Sequence, residues 1–90
     1  MMELRMRTRE ETDMQGHPVS FDYFILVDEV GERGFACESY GVKIAASAGG
    51  EEVRVPHITT SVTRIDELIA LLTRNFVTPT ALRDVIDDWL

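Results

Sequence analysis

The sequence predicts an α+β fold, an antiparallel sheet of three to four strands followed by two C-terminal helices packed on one of its faces. Three observations carry this. β-branched and aromatic runs separated by glycine-rich turns fill residues 3–58; the apolar spacing lengthens from two residues to a helical repeat at Thr59-Thr60-Ser61; and Thr78-Pro79 restarts a helical pattern. A chain of 90 residues buries enough surface for one modest core, so a single domain over 1–90 is expected.

Residues 3–14 alternate, with Leu4, Met6 and Thr8 on one side and Arg5, Arg7 and Arg9 on the other, as in a half-buried strand. Gly16, His17 and Pro18 interrupt it, because proline lacks an N–H and restricts its predecessor. Residues 21–30 contain Tyr23-Phe24-Ile25-Leu26-Val27, apolar on both faces, which marks a central strand. Gly31-Glu32-Arg33-Gly34 supplies a hairpin turn. The return strand, 35–46, sets Ala36, Tyr40, Val42 and Ile44 on one face and Cys37, Ser39 and Lys43 on the other, with Glu38 breaking the apolar face.

After Ala48-Gly49-Gly50-Glu51-Glu52, residues 53–58 alternate once more, and Pro56 places this last strand at an edge. The first helix, 62–75, starts at hydroxyl residues able to cap it, and Val62, Ile65, Leu68, Ile69 and Leu72 form its buried stripe. In the second, 79–90, Thr78 is the expected cap and Pro79 the first turn. Leu82, Val85, Ile86 and Trp89 face the core there, with Trp89 as an anchor, and Asp84, Asp87 and Asp88 fall on the neighbouring face.

The charge narrows the function. Sixteen acidic residues against nine basic ones give a net charge of −7, which opposes direct binding of nucleic acid or an anionic membrane and favours a basic protein surface. With one cysteine, no intramolecular disulfide forms, and no apolar run reaches the length of a membrane span. A cytoplasmic setting is expected.

No catalytic residue, cofactor site or metal site is expected. Cys37 reads as a small buried hydrophobe, and His17, Cys37 and His57 lack metal-ligand spacing. Asp84 and Asp88 stand at helical i,i+4 spacing, without a base beside them. Gly49-Gly50 has no following lysine to hold phosphate. Arg5, Arg7 and Arg9, flanked by Glu3, Glu10, Glu11 and Asp13, are expected in cross-strand ion pairs.

Tyr40-Gly41-Val42, Ile58-Thr59-Thr60-Ser61 and the tail Pro79-x-x-Leu82-x-Asp84-Val85-Ile86-x-Asp88-Trp89-Leu90 resemble a family of short bacterial proteins classed as a domain of unknown function. The resemblance covers residues 21–90. It implies a bacterial, cytoplasmic domain and transfers no catalytic residue.

Two functions follow as expectations. The first is a non-enzymatic, acidic protein-interaction module that docks a basic, nucleic-acid-binding surface of a partner such as a nuclease. Asp84, Asp87 and Asp88, with Asp28, Glu29 and Glu32 near the first hairpin, are its candidate contacts. In size and charge the chain is similar to inhibitors carried by mobile elements, anti-CRISPR proteins among them. The alternative is a small regulator or structural homodimer paired through the strand edge near Val53 to Ile58.

Overall fold

The computed structural model describes residues 1–31 and 37–90. Four strands, β1 (Met2–Thr12), β2 (Pro18–Val30), β3 (Cys37–Ala46) and β4 (Glu52–Thr59), form one antiparallel sheet in the order β1-β2-β3-β4. Each strand pairs with its neighbour in sequence, so only short turns are needed between them. Helix α1 (Val62–Arg74), a 3₁₀ turn (Pro79–Ala81) and helix α2 (Leu82–Trp89) follow. The predicted α+β architecture is the observed one. The expected Gly31–Gly34 turn and the start of the return strand fall partly on residues 32–36, outside the described residues.

Side chains on a strand point alternately to opposite faces. Phe21, Tyr23, Ile25 and Val27 of β2 and Val42 and Ile44 of β3 point to one face and join Ile65, Leu68, Ile69 and Leu72 of α1 and Leu82 and Ile86 of α2 in a single core. This is the helix side. Each of the larger side chains contributes about 1.5–3 kcal/mol by leaving water. The opposite, open face carries Asp22, Phe24, Leu26 and Asp28 of β2 and Ser39, Gly41 and Lys43 of β3.

α1 forms where expected. Ser61 caps it, its Oγ accepting from the Arg64 N–H at 3.2 Å. The second helix differs from the expectation. Thr78 makes no capping bond to the backbone, its hydroxyl lying 3.2 Å from that of Thr80, and Pro79 opens a 3₁₀ turn before α2 begins at Leu82. Trp89 anchors as expected, packing on the core under the Arg64 guanidinium, 4.0 Å from its ring. The cation covers the indole face that the core leaves open.

Two irregularities reshape the sheet. In β1 the register against β2 shifts between Arg5 and Arg7, so Arg5 faces Phe24 whereas Arg7 and Arg9 face Tyr23 and Phe21. The three arginines therefore do not share a face, because one extra residue in a strand reverses every side chain beyond it. Arg9 turns under the helices, donates to the Thr73 carbonyl at 2.5 Å and lies over Phe76, 5.8 Å from the ring centre. It closes the C-terminal end of α1, where carbonyls lack partners and a cation is favoured.

In β4 the register against β3 shifts between Tyr40 and Val42, leaving Pro56, His57 and Ile58 off the ladder. His57 takes φ of 57°, left-handed backbone that costs a side chain such as histidine about 1 kcal/mol. The chain is held there by Gly41. A Cβ on Gly41 would stand 2.5 Å from the Pro56 Cα, so only glycine admits the close crossing.

Candidate functional site

The open face holds two polar clusters. In the first, Lys43, nearly buried, is gripped by Glu3 at 2.8 Å and Glu52 at 3.1 Å, lies 4.5 Å from the centre of the Phe24 ring, and shares Glu3 with Arg54. Every charge in it has an opposite neighbour, so the cluster ties β1, β3 and β4 together. Thr8, turned to this face by the bulge, hydrogen-bonds Asp22 at 2.5 Å.

The second cluster is less settled. Because Pro56 crosses over Gly41, His57 passes across β3 and brings its Nε2 within 3.8 Å of Asp28 Oδ2 on β2. The Asp28 side chain is only 16% exposed, and Oδ2 is buried with no hydrogen-bond partner among the described residues. A buried carboxylate oxygen in that state loses about 1–3 kcal/mol of hydration, which the histidine offsets when it carries a proton. Ser39, the cross-strand partner of Asp28, is buried beside it.

The six acidic residues picked out in the sequence do not meet in one patch. Asp84, Asp87 and Asp88 are exposed on α2, in the helix layer. Asp28 points to the other side of the sheet and is taken up by His57. Glu29 is exposed on the helix side, opposite Glu38 of β3, beyond the end of the core. Met1, Met2, Val27 and these two glutamates line a cavity of about 360 Å³ there. Glu32 lies outside the described residues.

Cys37 is exposed rather than buried. It is the first residue of β3 and sits opposite Val30 on the open face, the side of the sheet away from the helices. His17, in the β1–β2 turn, lies 3.8 Å from Asp13. Among the described residues no group of three or more histidine, cysteine or carboxylate side chains comes together to hold a metal ion, and no helix is long and apolar enough to cross a membrane.

One group in the helix layer has a displaced titration. Tyr23, fully buried, donates its hydroxyl to the Val77 carbonyl at 2.9 Å. Burial pushes its phenol up to about 12, against the opposing pull of Arg9. It is a structural strut between β2 and the segment joining the helices.

These elements, from the arginine-bearing β1 to the aspartate-bearing α2, all fall within residues 2–90, which match the model of a family described as a family of unknown function, DUF6514. The chain belongs to DUF6514. The match extends the resemblance seen over residues 21–90 to the first strand, so β1 and its bulge are part of the DUF6514 domain. No curated protein and no solved structure matches the DUF6514 chain.

In this DUF6514 chain the acids fall into two groups. Glu3, Glu11, Asp13, Asp22, Asp28, Glu52 and Glu67 each have a basic or hydrogen-bonding neighbour. Glu10, Glu29, Glu38, Glu51 and Asp66, and Asp84, Asp87 and Asp88 of α2, have no ion pair or side-chain hydrogen bond among the described residues; what sets the α2 acids apart is that they crowd on one helix. Asp87 and Asp88 occupy the last turn of α2, which contains no basic residue. That is the negative end of the helix dipole, where a carboxylate costs a few tenths of a kcal/mol or more. Asp84 adds like-charge repulsion to both, at i,i+3 and i,i+4. The sequence located this cluster by spacing, and its conflict with the helix dipole follows from where α2 ends.

Proposed function

We propose that this protein is a non-enzymatic interaction module whose α2 face, Asp84, Asp87 and Asp88, docks on a basic surface of a partner protein. The observation that carries the reading is the placement of Asp87 and Asp88 against the helix dipole in the last turn of α2, with Asp84 repelling both from the first turn and none of the three in an ion pair among the described residues. A local arrangement that weakens its own helix is expected where function outweighs stability. An opposing cationic surface removes the repulsion, and the net charge of −7 speeds its approach.

The commonest large basic surfaces in a cell belong to nucleic-acid-binding proteins, so the concrete form of the proposal is an inhibitor that occupies such a surface, a nuclease channel for example, in place of nucleic acid. Asp28 drops out of the contact set because His57 engages it on the other face, and the docking surface narrows to α2. Pull-down from bacterial lysate tests this. The wild-type chain retains a partner at low salt and releases it at high salt, and the Asp84→Asn/Asp87→Asn/Asp88→Asn variant retains none. Retention of the same partner by that variant refutes the α2 reading.

A further inference from the structure

We infer that the outer edge of β1, over Met2 to Met6, pairs antiparallel with the same segment of a second copy, about a two-fold axis at Leu4. Both β1 and β4 are edges of the sheet, and they are unlike. β4 is interrupted by Pro56, which has no N–H, and by the left-handed His57, so it offers no continuous ladder. β1 runs without proline, and before its bulge it keeps a regular register from Met2 to Arg5. That stretch presents unpaired backbone groups and, at 56%, 42% and 49% exposure, the apolar side chains of Met2, Leu4 and Met6.

The occupant follows from charge. In an antiparallel pairing of identical segments centred on Leu4, Leu4 meets Leu4 on the helix side, and Glu3 of each copy meets Arg5 of the other on the open face. Glu3 and Arg5 share that face in this structure, their partners on β2 being Leu26 and Phe24; Glu3 already holds Lys43 and Arg54, so the second copy's Arg5 joins that cluster as a further cation, and Arg5 has no ion-pair partner among the described residues. Centring one residue earlier sets Glu3 against Glu3, and one residue later Arg5 against Arg5, both unfavourable. Beyond the bulge the β1 side chains change faces, Arg7 and Arg9 turning to the helix side, so the Glu3–Arg5 pattern does not continue past it. The interface is small and the dimer correspondingly weak. It uses a surface separate from α2.

Sedimentation across concentration and directed cross-linking test it. The wild-type chain passes from monomer to dimer with rising concentration, and Arg5→Glu, which sets two glutamates against two, raises the dissociation constant at least about tenfold with the circular dichroism unchanged. In a Cys37→Ser background, Leu4→Cys forms an intermolecular disulfide readily, since paired α-carbons stand about 4.5–5.5 Å apart, and Glu10→Cys does not. A wild-type monomer up to about 1 mM, a dimer indifferent to Arg5→Glu, or faster cross-linking at Glu10→Cys each overturns the proposal.

Discussion

Gly41 lies so close under the β4 crossing that a methyl group on its α-carbon would stand 2.5 Å from the α-carbon of Pro56. Its φ is not in the left-handed region, so what requires glycine is space and not backbone freedom. That contact lets β4 leave the ladder and carries His57 across β3 to Asp28.

Gly41→Ala should therefore force two backbones apart. The expected loss is about 2–4 kcal/mol of unfolding free energy, read as a lower urea midpoint. A loss below about 0.5 kcal/mol would show that β4 shifts freely.

The His57–Asp28 pair should appear as a coupling. His57→Ala leaves the mostly buried Asp28 carboxylate without its imidazole neighbour and is expected to cost about 1–3 kcal/mol. Once Asp28→Asn has removed the charge, the same substitution should cost less, giving an interaction of about 0.5–1 kcal/mol in a double-mutant cycle near pH 5. Additive losses would mean the two side chains are neighbours without energetic contact.

Tyr23 predicts alkaline sensitivity. Its phenol titrates near 12 in the fold against an ordinary value of 10.0. The folded state therefore holds the proton more tightly than the unfolded chain. Stability is full below about pH 10 and falls between pH 10 and 12, by roughly 2–3 kcal/mol for a shift of this size. Tyr23→Phe loses the Val77 hydrogen bond, at about 1–2 kcal/mol, but its stability should stay flatter over that interval. Equal slopes for both chains would locate the alkaline loss elsewhere.

Much of the fold was legible because it rests on side-chain spacing. Ile65, Leu68, Ile69 and Leu72 recur at helical spacing and Ser61 is a capping residue, so α1 was found nearly to the residue. The alternation of Leu4, Met6 and Thr8 with three arginines was misleading, since a bulge gives no signature in residue types and reverses everything beyond it. The same limit hid the β4 crossing. Gly41 and Pro56 were visible singly, but their contact is a relation between strands. Cys37 was misjudged for a different reason. Its strand position was right, and it lies at the end of the open face, the side of the sheet that no helix covers. On α2 the acidic residues and the end of the helix near Leu90 were both plain from sequence, so the position of Asp87 and Asp88 against the dipole was readable there; the structure adds that neither is in an ion pair among the described residues.

The central claim is that Asp84, Asp87 and Asp88 are kept together for a partner, Asp87 and Asp88 at the expense of their own helix. The direct measurement combines the thermal midpoint of the Asp84→Asn/Asp87→Asn/Asp88→Asn chain with its affinity for the partner captured by the wild type, across a salt series. The account predicts a net stability gain of about 0.3–1 kcal/mol, relief at Asp87 and Asp88 outweighing the first-turn dipole interaction lost at Asp84, together with a loss of affinity of at least about a hundredfold at low salt and a flatter salt dependence. Unchanged affinity with an unchanged salt slope would contradict it.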